Sequence, residues 1–391
     1  MKNLMKVFAC GVVLSSLVGC AGYQDMLDNT ISKNVVGDPL VIDFDQAWEE
    51  EYVSLESIID EIRVVKLETK PGCLLSPYND VFVSSDRIFL HDKINSRYVT
   101  IFSTQGNFVN RIHIGQGRKE FTAADDFFYD SKNKSLYVLD EKSQKIVSYT
   151  EDGEYKDVTR LSGWNTEAAP IDGGFLLGQS ARTNRQREYL IARLNEKGDE
   201  IETWSVGKSS YNFYCQHFRN YDNGYIINKP YDNIIFYYKN GSVTYRYVFA
   251  GTCLGNHEIL RDASVTTDDF SLMEDGKIYF SGHNYETDDY IVSQAYSKGV
   301  IEVFFFYNKN SDRAVRWTRK NGKTLMNFVQ IEGRHCLGGN YLVGTLDPSH
   351  FNNWDGVNHN NLISAEDMEK LKSLNDEDNP LVVIFKLKSG L

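Results

Sequence analysis

Along most of this chain, short runs of residues alternate between apolar and polar. This period of two is typical of half-buried β-strands. One unit recurs: a strand, a polar turn, a second strand, and then a tight hairpin that joins two further strands. The strand after the polar turn is found at 87–91, 135–139, 174–177, 224–227, 277–280 and 340–343. A repeat of about forty residues is typical of four-stranded propeller blades.

The hairpin that follows each of these strands is a second, independent signal. Apolar residues lead into a Gly or Asn that tolerates the positive φ of a tight turn. These turn residues are Gly106, Gly153, Gly198, Gly241, Asn310 and Gly390. Because both signals occur six times, we predict an all-β fold, a six-bladed β-propeller of four-stranded blades.

The two ends of the repeat region predict how the ring closes. The last copy stops after its third strand, 381–388, and an orphan strand, 62–67, precedes the first copy. Antiparallel pairing of these two segments would let the N-terminal strand complete the last blade and would remove two exposed sheet edges. We therefore expect the propeller to comprise residues 58–391.

Residues 1–19 have the pattern of a lipoprotein signal peptide. Lys2 and Lys6 are followed by an apolar stretch that is too short to span a bilayer. The stretch ends in Leu-Val-Gly-Cys, which resembles a bacterial lipobox and predicts lipidation of Cys20. We expect residues 20–57 to be the lipidated cysteine and a tether with a short helical lead-in. The alternative is an ordinary secretory signal in which Cys20 occurs by chance.

Charge and cysteine content narrow the possible partners. Without residues 1–19 the chain loses two of its 42 basic residues and none of its 54 acidic ones, which leaves a formal charge of −14. No basic stripe is visible, so we predict no nucleic-acid partner. Cys73, Cys215, Cys253 and Cys336 show no CxxC spacing, so free thiols and any of three disulfide pairings stay open.

Three segments of the chain match a known pattern: residues 65–69, 115–121 and 379–388. They resemble the six-bladed β-propeller lipoproteins of Bacteroidetes, which are related to NHL-repeat propellers. The second segment has Arg118-Lys119 where the family usually has Pro-Gly. The resemblance covers residues 58–391. It implies the propeller fold and a cell-envelope location, at the outer membrane on a side that it does not specify, and it implies no activity.

Long connections indicate where a binding surface could lie. If the strands of a blade are labelled A to D from the channel outward, B–C loops and D–A crossovers share one face, because neighbouring strands are antiparallel. The long connections 180–188, 249–268, 283–298 and 347–380 are all predicted on that face. Loops on a rigid scaffold often carry function, although drift of tolerated insertions is an alternative.

The candidate binding residues lie in three of these connections. They are Arg182, Arg185 and Arg187; His283, Tyr285, Glu286, Asp288 and Asp289; and His350, Trp354, Asp355 and His359. The arginines could bind an anion and the carboxylates a calcium ion, but solvated side chains are the alternative for both sets. The histidines match no standard ligand spacing, so we predict no metal and no cofactor. A short amphipathic helix over 365–375 should pack Met368, Leu371 and Leu374 against the propeller.

Motifs of hydrolase chemistry are missing from any suitable context. Gly115-Gln-Gly117 lacks the third Gly and the following helix of a phosphate-binding loop. The sequence therefore favours a binding or scaffolding module for a glycan, a peptide or an envelope protein, attached to the membrane through its N-terminal lipid. The alternative is a propeller enzyme, a lyase or a lactonase-like hydrolase, which would need titratable groups that converge at the channel mouth.

Overall fold

The structure is a computed structural model, and it describes most of the chain from residue 32 onward. The described residues are 32–76, 79–92, 98–117, 119–162, 165–179, 188–208, 218–229, 231–257, 273–298, 301–318, 325–354, 356–358 and 361–390. Within these ranges, no helix is both long enough and apolar enough to cross a membrane.

The first described segment runs along the outside of the molecule before it enters the ring. Its strands and short helices are β1 (Ser32–Lys33), β2 (Leu40–Asp43), α1 (Phe44–Ala47), β3 (Trp48–Tyr52), α2 (Leu55–Ile58) and β4 (Ile59–Val65).

Six β-sheets then form the six blades of the predicted propeller. The strands of blades 1 to 3 are β5 (Asn79–Val83), β6 (Arg87–Asp92), β7 (Val99–Ser103) and β8 (Phe108–Ile112); β9 (Asp126–Asp130), β10 (Ser135–Asp140), β11 (Lys145–Thr150) and β12 (Tyr155–Arg160); β13 (Glu167–Ile171), β14 (Gly174–Gln179), β15 (Glu188–Asn195) and β16 (Glu200–Lys208).

Blades 4 to 6 continue the same order. Their strands are β17 (Phe218–Tyr221), β18 (Gly224–Ile227), β19 (Ile234–Lys239) and β20 (Ser242–Ala250); β21 (Ile278–Glu286), β22 (Tyr290–Ser297), β23 (Ile301–Asn308) and β24 (Arg313–Thr318); β25 (Val329–Gln330), β27 (Tyr341–Leu346) and β28 (Leu381–Leu387), with β4 as the fourth strand. β26 (Arg334–His335) leaves blade 6 and pairs with blade 1.

The glycine turns of the C–D hairpins also connect neighbouring blades. Gly106 has a φ of +90°, and a Cβ on it would lie 2.1 Å from the carbonyl oxygen of Lys66, just beyond the outer strand of blade 6. Gly198 has a φ of +87°, and a Cβ on it would lie 2.0 Å from the carbonyl oxygen of Arg160 at the end of blade 2. These turns therefore require glycine for both the backbone conformation and the close approach.

The core consists of six main apolar clusters, one between each pair of neighbouring blades. Each cluster joins alternating side chains from the facing sheets, as expected when blades pack face to face. Representative members are Phe89 and Val138 between blades 1 and 2, Ile146 and Leu177 between 2 and 3, Ile191 and Phe236 between 3 and 4, Phe249 and Phe305 between 4 and 5, Phe304 and Phe385 between 5 and 6, and Val382 and Leu90 between 6 and 1.

The N-terminal strand pairs with the last strand of the chain, as the sequence predicts. β4 runs antiparallel to β28, with Val65 opposite Val382 and Ile62 opposite Phe385. The strand begins three residues before the predicted range 62–67. Val65 and Leu67 then pack in the cluster that joins blade 6 to blade 1.

Residues 32–52 form an outer strap around three blades. β1 pairs antiparallel with β16 in blade 3, β2 pairs parallel with β20 in blade 4, and β3 pairs parallel with β24 in blade 5. Ile42 and Phe44 are buried between blades 4 and 5. The segment expected to be a tether, 20–57, therefore contains three added strands in its described part.

Candidate functional site

The propeller has two faces with different connections. The face formed by B–C loops and D–A crossovers is called the loop face, and the face formed by A–B and C–D turns is called the turn face. The predicted long connection 347–380 joins β27 to β28, so it lies on the loop face. The connection 249–268 lies there as well and is described as far as residue 257, whereas Arg182, Arg185 and Arg187 lie outside the described residues.

The predicted long loop 283–298 in blade 5 is wrong. Residues 283–286 belong to β21, and β22 occupies most of the remainder. The error arose because 277–280 was assigned to strand B, whereas β21 is strand A and is nine residues long, with an irregular register between Phe280 and Asn284. The connection between β21 and β22 is a short A–B turn, so Asp288 and Asp289 lie on the turn face.

Glu286 is the centre of a buried ion-pair cluster and is not a solvated loop residue. Its side chain is 2% exposed, and it accepts two hydrogen bonds from the Arg246 guanidinium, at 2.8 and 3.2 Å. The Tyr247 hydroxyl donates to it at 2.7 Å, and the Lys309 ammonium lies at 3.2 Å. Burial and the Glu286 carboxylate raise the pKa of Tyr247. This cluster joins blades 4 and 5.

The other acidic residues of this region differ in their surroundings. Asp289 accepts hydrogen bonds from the side-chain amides of Asn340, at 2.6 Å, and Asn310, at 2.9 Å, so it links blades 5 and 6. Asp288 is exposed. His283 is partly buried, and Tyr285 is buried and points toward the channel, where its ring lies 4.0 Å from the Arg219 guanidinium.

The insertion 347–380 folds onto the propeller. It contains a 3₁₀-helix, Pro348–Asn353, and the helix α3, Ala365–Lys372, whose N-cap is Ser364. Met368 and Leu371 are buried and Leu374 is partly buried against the cluster between blades 5 and 6, as the sequence predicts.

Trp354 packs within its own loop. Its ring lies 4.8 Å from that of Phe351, which in turn contacts Phe328. The backbone of His350 is in the 3₁₀-helix, whereas Asp355 and His359 lie outside the described residues. Among the residues that the structure describes, no group of three or more His, Cys, Asp or Glu side chains could hold a metal ion.

The same insertion covers the outer edge of blade 6. The Asp367 carboxylate accepts a hydrogen bond from the backbone N–H of Val64 at 2.9 Å and pairs with Lys370 at 2.6 Å. The carbonyl of Leu362 accepts from the backbone N–H of Ile62 at 2.8 Å. Much of the insertion therefore has a structural role.

The A–B connection of blade 6, residues 331–340, enters the central channel and is called the plug. Within it, β26 pairs parallel with β5 on the inner edge of blade 1. The Arg219 guanidinium donates to the carbonyls of Glu332 and Gly333, both at 3.2 Å. The hydroxyl of Tyr285 donates to the carbonyl of Ile331. Side chains from blades 4 and 5 thus hold a segment of blade 6 on the axis.

Four charged or titratable side chains meet where the plug reaches the loop-face end of the channel, and they are called the channel-mouth cluster: Asp80, His91, Asp126 and Arg334. Arg334 is 3% exposed, lies 3.4 Å from Asp126 and stacks over the rings of Phe127 and Phe128. His91 is 1% exposed, has its Nε2 at 2.9 Å from the carbonyl of Ala124, and has its Nδ1 at 3.9 Å from Asp80.

The channel-mouth cluster contains a carboxyl group with a shifted pKa and polar atoms without a hydrogen-bond partner. Burial raises the pKa of Asp126, Arg334 partly offsets this increase, and the nearby Glu167 adds to it. Nε of Arg334 and Nδ1 of His91 are buried without a hydrogen-bond partner among the described residues, and Nδ1 is an acceptor when Nε2 donates to the Ala124 carbonyl. The cluster therefore combines a carboxyl group whose pKa is raised with one donor and one acceptor that retain bonding capacity.

Sequence reasoning missed this cluster. The available signal was an acidic residue at the start of successive inner strands, at Asp80, Asp126 and Glu167, where the positions that follow are mainly apolar. This signal could be recognised only if all three strands were assigned as the innermost strand, A, of their blades. The three acidic residues then lie at the same end of the channel.

A family model described as domain of unknown function DUF4934 matches residues 39–386, nearly the whole described chain. The chain belongs to the DUF4934 family. Among functionally curated proteins, no match is found.

One solved structure shares the fold of this DUF4934 chain, and others are more distantly similar to it. A Bacteroides fragilis protein described as exported superposes with a TM-score of 0.71 at 20% identity, over 89% of this chain and 100% of that one. A DUF4221 member from Bacteroides vulgatus has a TM-score of 0.49 at 12% identity, over 84% and 99%. Virginiamycin B lyase of Staphylococcus aureus has a TM-score of 0.40 at 9% identity, over 83% and 99%.

The glycine motif at 115–121 in this DUF4934 chain forms a turn that binds its own carboxylate. The N–H of Gly117 donates to Glu120 at 2.9 Å, and a Cβ on Gly115 would lie 1.9 Å from the same carboxylate. Phe121 is buried between blades 1 and 2. The motif therefore stabilises the crossover between these blades, in agreement with the exclusion of a phosphate-binding loop.

Three of the four cysteines that follow Cys20 are described, and each is a free thiol: Cys73, Cys253 and Cys336. Burial raises the pKa of the Cys253 thiol to about 11, which makes it a weak nucleophile at neutral pH. Cys215 and the predicted lipidation site, Cys20, lie outside the described residues.

Proposed function

We propose that this DUF4934 protein is a lipoprotein of the cell envelope, anchored through Cys20, that binds a glycan, a peptide or an envelope protein with its loop face. The observation that carries the proposal is where the connections of the propeller lie, both in the central channel and on the loop face. The plug lies in the channel, where it pairs with the inner edge of blade 1, and the longest described connection lies on the loop face. A partner would therefore meet loops on a rigid scaffold at this face.

Two exposed valines offer a matched test of the loop face. Val357 lies in the blade 6 insertion and is 47% exposed, and Val109 lies on the outer strand of blade 1 and is 37% exposed. The wild-type protein would be used in glycan arrays and envelope pull-downs, followed by Val357→Arg and Val109→Arg. A partner that Val357→Arg loses and Val109→Arg retains supports the proposal. A protein that binds nothing in either format removes its support.

The anchor is tested separately. Cys20→Ala should release the protein from the membrane fraction without unfolding it, because the cysteine precedes the described fold. Fractionation combined with thermal unfolding of the soluble form measures both effects. Membrane retention of the variant would show that the anchor lies elsewhere.

The channel-mouth cluster favours an enzyme as the second candidate function. Asp126 has a raised pKa, which suits a general acid, and Arg334 could bind an oxyanion. Turnover would be measured on panels of lactones and of uronic-acid polysaccharides, the substrates of hydrolase and lyase chemistry respectively. Activity that disappears in Asp126→Asn while the fold persists supports this candidate, and the absence of turnover in both panels argues against it.

A further inference from the structure

Exposed apolar side chains are concentrated on one part of the rim. Val36, Leu40, Val41 and Ile201 are 56%, 55%, 36% and 53% exposed, and together they are called the rim patch. Large apolar side chains are rarely exposed in contiguous groups unless they contact something. The other exposed residues of this kind among the described ones, Leu74, Val109 and Val357, lie at separate places in blades 1 and 6 and between them.

The rim patch lies on the strap and on β16, at the outer edges of blades 3 and 4. The carbonyl of Val36 accepts from the N–H of Tyr245 at 3.2 Å, and β2 carries Leu40 and Val41 along the edge of blade 4. The amide of Asn34 donates to the carbonyl of Thr203, two residues from Ile201 in blade 3. Among the residues described, no strand lies outside β2, and β1 pairs with β16 only at Ser205 and Val206, which leaves Ile201 uncovered.

The chain from Cys20 enters the fold beside this patch. Residues 21–31 separate Cys20 from Ser32, the first residue of β1. These eleven residues reach at most about 40 Å when extended and span on the order of 20 Å as a flexible coil. A lipid on Cys20 would therefore hold the rim of blades 3 and 4 closer to the bilayer than any other part of the ring.

We propose that the rim patch rests on the bilayer that holds the acyl chains of Cys20, so that the ring stands on edge. This inference rests on the lipid anchor proposed above. Tethering raises the effective concentration of the patch at the membrane, so shallow apolar contacts are sufficient. The edge-on orientation leaves the loop face perpendicular to the bilayer and open to a soluble partner.

Charge around the patch indicates which lipids it accepts. Asp38, Glu200 and Glu202 are exposed next to it. Their carboxylates would be repelled by an anionic surface, so the contact is apolar in character. Phosphatidylcholine vesicles should therefore support it better than vesicles that contain phosphatidylglycerol.

Site-specific photocrosslinking tests the orientation. The lipidated full-length protein would be reconstituted in phosphatidylcholine vesicles with p-benzoylphenylalanine at position 40 or, as the matched control, at position 109. We expect lipid crosslinking to be several-fold greater from position 40. Equal crosslinking from the two positions overturns the inference, as does crosslinking from position 40 mainly to a second copy or to residues 21–31.

Vesicle flotation tests the lipid anchor separately from the orientation of the ring. Protein that floats with the vesicles but fails to crosslink from position 40 retains the anchor and loses the orientation. Protein that does not float overturns both. In a second variant, Leu40→Ser with Val41→Ser should lower lipid crosslinking from position 36 several-fold, whereas Val109→Ser should leave it unchanged.

Discussion

Blades 1 and 2 differ from blades 3 to 6 at the outer edge. In blades 1 and 2 the sheet ends at β8 and β12 in the described chain. Blades 3, 4 and 5 each carry a fifth strand from the strap, and the edge of blade 6 is hydrogen-bonded by the insertion that contains Asp367. The same four-stranded unit is therefore left bare in one part of the ring and covered in another.

The sequences of the outer strands explain much of this difference. β12 is six residues long and carries Lys156, Asp157 and Arg160, charges that discourage edge-to-edge pairing. β20 is nine residues long and carries Tyr245, Tyr247 and Phe249. A long aromatic edge left open is a site of aggregation, so covering it with the strap removes a hazard that short, charged strands do not create.

The largest expected effect comes from deletion of residues 58–69, which removes β4 from blade 6. The deletion would expose β28 along its length and eliminate the buried side chains Ile59, Ile62 and Val64. We expect a loss of cooperative unfolding and the formation of oligomers, measured by calorimetry and light scattering. Deletion of the strap alone, residues 32–52, should lower the melting temperature less. A 58–69 deletion that stayed monomeric with unchanged thermal stability would contradict the closure of the ring by β4.

Local turn chemistry explains why the blades could be predicted from sequence. Gly153 and Gly241 have φ values of +88° and +83°, so these hairpin turns required a residue type that is recognisable in the sequence. In blade 5 the positive φ falls at Asp312 and not at the predicted Asn310. The pairing of β4 with β28 could be predicted as well, because the last copy of the repeat lacked its fourth strand and one strand was left over before the first copy. Blade 5 was misassigned because the nine-residue β21 was taken for a short strand followed by a loop.

The strap and the channel-mouth cluster could not be predicted in the same way. β2 is a four-residue strand that pairs in parallel orientation with β20, some two hundred residues later in the chain. Nothing in the local sequence of β2 specifies that partner. Asp126 comes from blade 2 and Arg334 from the plug, so their contact depends on how the blades are arranged around the axis. Such contacts require the assembled ring.

A pair of neighbouring strap residues sharpens the comparison. Ile42 is 1% exposed between blades 4 and 5, and Leu40 is 55% exposed. Ile42→Ala should lower the free energy of unfolding by about 2–4 kcal/mol, the usual cost of a cavity at a buried isoleucine. Leu40→Ala should change it by less than about 0.5 kcal/mol. Urea unfolding of both variants measures the difference, and equal small effects would mean that the strap does not stabilise the ring.

The smallest expected effect is a pH dependence of stability at blade 1, where the added strand, β26, lies on the inner edge of the sheet. His335 in β26 has its Nε2 at 2.9 Å from the carbonyl of Tyr341, which can only accept, so Nε2 carries a proton. Its Nδ1 accepts from the N–H of Leu337 at 3.4 Å, so the neutral ring satisfies both contacts. Burial lowers the pKa of His335 to about 4, the Tyr341 carbonyl opposes this, and the charge of Arg219 adds to it.

Because the folded pKa of His335 lies below its unfolded value of about 6.5, the unfolded chain binds the extra proton between these limits, and stability falls as the pH drops through them. At pH 5.5 the loss is about 1 kcal/mol relative to pH 7.5. The raised pKa of Asp126 has the opposite sign in this range, so the informative quantity is the difference between wild type and His335→Gln. Denaturant unfolding at both pH values should show a smaller acid-induced loss in His335→Gln, whereas an identical loss would show that the folded state does not favour the neutral form of His335.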